Sequence, residues 1–593
     1  MLRWTLAIPI ALFIGLSIGA EAKMYIVDDD GFAQYHSVGE ALAVANDGDT
    51  IYVKPGTYRE HLVLNKSVTL MPPRGEEGIV SLVGDGSDIG IEVLADGCKI
   101  EGLTISDFAG PGIFAESDSN LIRKNTLVNN VHGIYLNGSS GNLVEDNLEE
   151  GGYCGMVIIS SRGNTVKGNV ARGCRGSPEV PGSGILLNSG SNNSISDCRA
   201  EGCGRGIDMR SESLENDISR VEVEGCGIGF LIEMGSGANL VRHCTVENAT
   251  TAVVLDSALK NLIQNNSISN STNGIVLFSS TENGIVENRL SNLDVGLMIS
   301  GSAGNVFINN EIETANSGVL IKDSPANRLE GNALVKVSLG LNVESTSTTD
   351  GLNNQISESN LIEGDPVLYL YGLSDGVISG REFGHVTIAG CQNLTLEASS
   401  ITNDGLFLYS SRGCRILDNV VSNGYGMLIR DSDENEIRGN QACENQYGGV
   451  MLVDSGGNII GENNLSGNER DGLLLRGSEA NKVQSNLAQG NGEAGIRIIN
   501  SNDTEITGNS VIGNGVGIYA NGSTGCIVYR NNIIDNLVQA MDDGDNLWDW
   551  GALKGGNYWS DHSCEGSPCL NQTRAIGRAM DSYPFGERDG WAK

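Results

Sequence analysis

The sequence predicts an all-β fold, a right-handed parallel β-helix, on three observations. A unit of about 22 residues repeats from about residue 90 to residue 536, apolar residues alternate within it, and asparagines recur at fixed places in it. The unit is clearest at Gly133-Ile-Tyr-Leu-Asn-Gly-Ser-Ser-Gly-Asn142-Leu-Val-Glu-Asp-Asn147. Glycines in the same register fall at Gly112, Gly155, Gly184, Gly206, Gly229, Gly274, Gly296, Gly318 and Gly340, then resume at Gly405, Gly426, Gly449, Gly472, Gly495 and Gly517. A fixed period of this size is the mark of a solenoid.

Alternation such as Ile134, Tyr135, Leu136 is the period of a strand, so each unit is a few short strands joined by Gly and Asn turns. Leucine-rich repeats share the period, but their L-x-x-L-x-L-x-x-N signature and helical back are absent from the sequence. Two asparagine columns can be followed. One runs through Asn142, Asn164, Asn261, Asn283, Asn458 and Asn481, and the other, five residues later, through Asn147, Asn169, Asn266, Asn288, Asn463 and Asn486. Asn tolerates left-handed backbone angles at tight turns, and stacked Asn side chains can bond one another as amide ladders. A single coil cannot stand alone, so stability comes from stacking on both neighbours and the ends need caps. About 20 coils at ~4.8 Å each give a rod of roughly 95 Å. Handedness follows the crossover rule for parallel strands.

The segments follow in order. Residues 1–22 read as a secretory signal, with Arg3, an apolar run from Leu6 to Ile18 and Ala20-Glu21-Ala22 as the cleavage site. No later apolar run is long enough to span a bilayer. Residues 23–84 form a β/α cap with the first coils. There Tyr25–Asp28 opens as a strand, Ser37–Ala45 is a short amphipathic helix that covers the open sheet edge, and Asp49–Tyr58 is a strand ending in a Pro-Gly turn. Repeats occupy 85–340, an irregular interruption 341–390, further repeats 391–536, and a C-terminal cap 537–593.

Composition narrows the partners. With 38 Lys and Arg against 74 Asp and Glu, the net charge is −36. A polyanion of that size repels nucleic acid. It also opposes acidic polysaccharides unless cations bridge the two.

Gly48-Asp-Thr-Ile-Tyr-Val-Lys-Pro-Gly56-Thr-Tyr58, with Glu60, resembles the start of secreted β-helix proteins of the NosD-like class and, more distantly, of pectin methylesterases. Gly364-Asp-Pro-Val-Leu-Tyr-Leu-Tyr371 is similar to the interruption in archaeal proteins of that class, and Asn557-Tyr-Trp-Ser-Asp561, after Asn546-Leu-Trp548 and before Tyr583-Pro584, resembles its closing segment. Where many relatives carry an Asp-rich run, this chain has His562 to Cys569, so no calcium site carries over. The catalytic pattern of pectin methylesterases is missing as well. The resemblance implies an exported protein of the carbohydrate-binding and sugar-hydrolysing β-helix class. Through the name of the class, it also implies a part in the maturation of a copper reductase.

Candidate chemistry comes from register. The fourth position after the repeat glycine places Arg210, Glu233 and Asp256 in consecutive coils about 5 Å apart, a spacing that suits a retaining glycosidase pair beside a cation. Exposed ladders of this kind are more often solvated ion pairs. Cys203 and Cys226 share a register position with Cys174 and are candidates for a stacked disulfide, while Cys564 and Cys569 pair locally in the cap. Cys98, Cys391, Cys414 and Cys526 take places in the first Asn column, and Cys198 and Cys244 in the second. Small buried Cys standing in for Asn is the plainer reading of these columns. Thiolates would select copper(I), and calcium could bridge the acidic surface to an acidic glycan, but no spacing assigns ligands to either ion. Eleven Asn-x-Ser/Thr sites, Asn137 and Asn270 among them, allow glycosylation.

Three functions follow from these features. The favoured one is a non-catalytic cell-surface or secreted module, carbohydrate-binding or part of the envelope, that lays a polysaccharide along strand-borne Tyr135, Phe278, Tyr409, Tyr425 and Tyr519. The alternatives are a polysaccharide hydrolase or lyase centred on Glu233 and Asp256, and a NosD-like copper-handling factor. The low His and Met content weighs against the last.

Overall fold

The computed structural model describes residues 22–84, 86–177, 180–346 and 349–592. The secretory signal read at 1–22 lies almost wholly outside them. The described chain winds into a β-solenoid of about 24 turns with ~22 residues per turn and almost no helix. Strands pair in parallel with their equivalents one turn away: Ile113 with Ile134, Ile134 with Met156, and Met156 with Ile185. Ile134 and Leu136 are fully buried in the tube, while Tyr135 between them faces outward and is half-buried.

The turns leave backbone groups that strands cannot satisfy, and the Asn columns satisfy them. The backbone N–H and Nδ2 of Asn120 both donate to Oδ1 of Asn142, at 2.8 and 2.9 Å, and Asn142 repeats this onto Asn164 at 2.9 and 3.0 Å. The column continues through Asn193 and Asn216, which the sequence register skips, and on through Asn261 to Asn283 and Asn305. The second column links Asn147 to Asn169 and Asn266 to Asn288, and it resumes at Asn440 to Asn463 and Asn486. Asn458 likewise bonds Asn481. A third ladder, unseen in the sequence, joins Asn445, Asn468, Asn491, Asn514 and Asn536. The left-handed residue of each turn is the one before the ladder Asn: Ser119, Gly141 and Asp146 have φ of 57°, 65° and 55°. The Asn is therefore used for its side-chain bonds and not for its backbone tolerance.

At the N-terminus, the expected cap helix is Val38–Val44. Ser37 Oγ accepts from Glu40 N–H at 3.2 Å, and the Glu60 carboxylate accepts the N–H groups of Val38 and Gly39 at 2.8 and 2.9 Å. Both satisfy donors that a helix start leaves unpaired. At the other end, buried Trp548 and Trp559 close the tube, donating from Nε1 to Asp542 at 2.7 Å and Asp581 at 2.9 Å.

The interruption is a corner, and its irregular part is shorter than 341–390. The first stack ends on Ala333–Glu344, and strand Leu361–Ile362 then meets Asp365–Tyr371 in the antiparallel sense, Ile362 opposite Asp365. From Asp365–Tyr371 onward parallel stacking resumes, with Leu368 beside Val386 and Val386 beside Leu406. That strand serves two cores: Val367 and Tyr369 join the first stack's core, Leu368 the second's. Residues on the outer face of the second stack (Phe407, Tyr409, Leu428 and Met451) continue the first core, so the side of one stack lids the end of the other. Polar ties fix the joint. Asp404 accepts from the N–H groups of Gly340 and Leu341 at 3.0 and 3.1 Å and lies 2.8 Å from His385 Nδ1, all buried. Arg430 Nη1 donates to Glu344 at 2.6 Å.

Cys564 and Cys569 form the expected disulfide, but Cys203 and Cys226 are free thiols, and the proposed bridge between them is not formed. The two stand at equivalent turn positions one coil apart, held at the strand spacing with nothing to turn one sulfur toward the other. Each Sγ instead points at a carbonyl 3.7 Å away, that of Ala171 for Cys203 and of Ala200 for Cys226. Cys391 lies one column from its expected place, its N–H bonded to Ser411 Oγ in a serine ladder. One inward position breaks the apolar rule. Glu149 occupies the row of Leu127, Ala171 and Ala200, with Oε1 unpartnered, and burial pushes its carboxyl up to about 8.

Three outcomes follow. Asn305→Ala removes the acceptor of two Asn283 donors and should cost about 2–4 kcal/mol in denaturant unfolding, whereas exposed Asn316→Ala should stay within ~0.5 kcal/mol. Equal costs would refute the ladder's role. Because the Glu149 carboxyl is raised on folding, its burial costs nothing below the usual carboxylate range and a growing amount as pH rises to about 8. Glu149→Gln should therefore melt progressively higher than wild type across that window. A pH-independent difference would exclude this. Finally, thirteen cysteines less the bridged pair leave eleven thiols, which should alkylate under non-reducing denaturation and stay largely unreactive in the native protein.

Candidate functional site at the corner of the two stacks

The charged ladder read from the sequence lies on the outer face of the first stack. Glu233 and Asp256 are register partners on adjacent strands, with Phe278 next to Asp256 one turn on. Arg210 sits 3.7 Å from Glu233 but bonds mainly to Asp208, a fully buried carboxylate that also accepts from Arg205 at 2.8 Å and Ser183 at 3.1 Å. The cation is thus committed to an internal ion cluster. Sequence reading missed Asp208, although an acid between Leu186 and Leu231 in one column is a visible anomaly.

The five aromatic candidates do not form one surface. Tyr135 packs at 5.4 Å from Phe114, and Phe278 is solvent-exposed some turns away. Tyr409 is 3 % exposed and gives its hydroxyl hydrogen to Asn342 at 2.7 Å, which removes it as a stacking platform: the first stack covers its face. Tyr519 lies 5.6 Å beneath the Arg497 guanidinium. Tyr425 stacks on Tyr447, ring centres 4.4 Å apart and planes 23° off parallel.

That last pair opens onto a cleft of about 270 Å³ on the outer face of the second stack, beside the corner. Its floor is the row Leu428, Met451, Leu474, continuous with the core that the corner buries. One rim carries Tyr447 with Arg470 above it, guanidinium 5.0 Å from the ring, and the other carries Arg430 and Arg476. Arg497 closes the far end, held by Asp471 at 3.0 Å and Glu493 at 2.8 Å. Burial keeps the Asp471 carboxyl above its ordinary range despite that partner. Arg430 is likewise engaged by Glu344. Among the described residues, Arg470 and Arg476 are exposed and have no carboxylate within 4.0 Å. Tyr447, Arg470 and Glu493 follow at 23-residue spacing, so this rim is legible as a column in the sequence. A larger groove, about 630 Å³, runs past Asn270, Asn292, Asp294 and Asn316, but no aromatic ring lines it.

Among the described residues, no cluster of three or more donors suits copper. Among the described residues the only group of three or more potential ligands within reach of one ion is Asp28, Asp29 and Asp30, which are oxygen donors, and Asp28 already pairs with Lys54 at 3.3 Å. Copper(I) prefers thiolates. The stacked Cys174, Cys203 and Cys226 are sealed inside the tube, and the adjoining Cys174 thiol together with burial pushes Cys203 up to about 12.

Comparison with solved structures finds distant solenoids. The catalytic domain of a GH87 alpha-1,3-glucanase in complex with nigerose is 11% identical over 60% of this chain and 70% of its own, with a TM-score of 0.35. The PL6 family alginate lyase AlyGC is 12% identical over 84% of this chain and 98% of its own, TM-score 0.29. Dettilon tailspike protein is 13% identical over 53% and 64%, TM-score 0.34. Likeness this remote says nothing of substrate. No curated protein matches the sequence. Among the described residues no helix is long and apolar enough to cross a membrane. The sequence profile of the family described as periplasmic copper-binding protein (NosD) matches residues 46–241, 232–372 and 352–564, and the chain belongs to the NosD family.

Proposed function

We propose that this protein is an exported, non-catalytic carbohydrate-binding member of the NosD family and that its glycan lies in the corner cleft. The observation that carries the reading is the make-up of the cleft: an apolar floor walled by the edges of the stacked Tyr425 and Tyr447, beside unpaired side-chain donors. Sugar rings present one C–H-rich face and a rim of hydroxyls, and sites for small organic ligands join an apolar wall to a few placed polar groups in the same way. The cleft is small by the standard of such sites, which fits recognition of a few units of a longer chain. The family's periplasmic description agrees with the signal read at residues 1–22. An exported solenoid of this length offers such a chain a long rigid support.

A polysaccharide panel tests this, scored together for retention and for release of reducing ends or unsaturated uronates. Retention without product is expected. Tyr447→Ala should weaken it about tenfold, in the range of lost aromatic contacts at binding sites, while Tyr135→Ala and Phe278→Ala leave it unchanged. Product release abolished by Glu233→Gln or Asp256→Asn would replace the binding role with catalysis on the first stack. Retention indifferent to Tyr447→Ala would remove the cleft as the site.

A further inference from the structure

We infer that the corner cleft selects a saccharide carrying repeated negative charges, with Arg470 and Arg476 as the residues that read them. The inference rests on the glycan-binding reading of the cleft and adds the class of sugar. Its first support is charge placed against the trend of the chain. In a protein of net charge −36, the cleft is lined by Arg430, Arg470, Arg476 and Arg497 against two carboxylates, Asp471 and Glu493. The cations differ in what they already hold. Arg430 is paired with Glu344, and Arg497 is bound by both carboxylates of the lining, so these two shape the walls.

Arg470 and Arg476 remain, exposed and without an ion-pair partner among the described residues. Arg470 is nonetheless placed, because its guanidinium packs over the Tyr447 ring. A guanidinium over an aromatic face keeps N–H groups for an incoming anion, and it can match a carboxylate or sulfate with two parallel bonds.

Spacing points to an oligomer. Arg476 ends the strand Asp471–Arg476 and Arg470 immediately precedes it, so their Cα atoms are up to roughly 20 Å apart, on opposite rims of the apolar floor. One small anion cannot satisfy both. A chain of sugars crossing the floor, its ring faces on the Leu428–Met451–Leu474 row and one side against the edge of Tyr447, brings one anionic group to each rim. The net charge of −36 opposes such a polymer on the molecule as a whole, which favours attachment at this arginine-lined cleft. Because the cations belong to the protein, no calcium bridge is needed.

The test uses the full-length purified protein and four probes: polygalacturonate, its methyl-esterified neutral form, a sulfated galactan and the neutral galactan. Binding is read at low and high salt, with and without EDTA. Both charged polymers should be retained well above their neutral counterparts, with retention falling as salt rises and unchanged by EDTA. The order of carboxylated and sulfated probes identifies the anion. Arg470→Gln with Arg476→Gln should reduce binding of the charged probes about tenfold, as loss of charge-assisted contacts does, without moving the melting temperature. Neutral polymers retained as well as charged ones, still sensitive to Tyr447→Ala, would overturn the charge selection and leave the glycan site standing. Retention of charged polymers that EDTA abolishes would place the anion on bridging cations and overturn it too. Retention of none of the four would end both.

Discussion

Satisfaction of buried turn amides is the constraint on which this architecture depends. A solenoid turns its chain around a narrow tube several times per coil, and at each turn a backbone N–H faces inward with no strand partner. The Asn columns supply the acceptor from the next coil, as with Asn142 bonded to Asn164 and Asn288 bonded to Asn310. Because each acceptor comes from a neighbour, the bond also fixes the register between coils. A one-residue slip would carry every inward side chain outward. The serine ladders do the same work three residues before the first Asn column, Ser455 to Ser478 to Ser501.

The corner breaks this one-dimensional logic. In a simple solenoid every residue answers to the coils above and below it. Here strand Asp365–Tyr371 answers to two cores, and the outer positions of the second stack answer to the end of the first. The same arrangement makes the cleft. Leu428 and Met451 are drawn into the joint, and where that apolar row runs out from under the first stack it becomes a floor, with rims of tyrosine and arginine that ordinary alternation had already placed outside.

The columns were readable because period 22 is strict: Asn261 to Asn283 to Asn305 needs only counting. Counting failed at Asn193 because its coil is longer, 29 residues from Asn164, and Asn216 was lost with it. The cap helix was legible from Ser37 and the pattern behind it. Tyr409 was misplaced for a different reason. Alternation says correctly that it faces out of its own tube, but local pattern cannot say that another part of the chain, Asn342 included, lies against that side. The rim column of Tyr447, Arg470 and Glu493 was open to the same counting that found Glu233 and Asp256. Its concavity depends on the corner, which no period announces. Cys203 and Cys226 were rightly stacked and wrongly bridged, because register gives neighbours and not the direction in which sulfur points.

The doubly committed strand at Asp365–Tyr371 also sets where this protein can change length. Coils before Glu311 or beyond Asn521 line neither the joint nor the cleft, so whole turns can be gained or lost there by duplication or deletion, and the rod grows or shrinks with the recognition surface untouched. Between those points each coil has a unique place. The molecule is thus a fixed elbow with two adjustable arms, and reach and recognition can evolve separately.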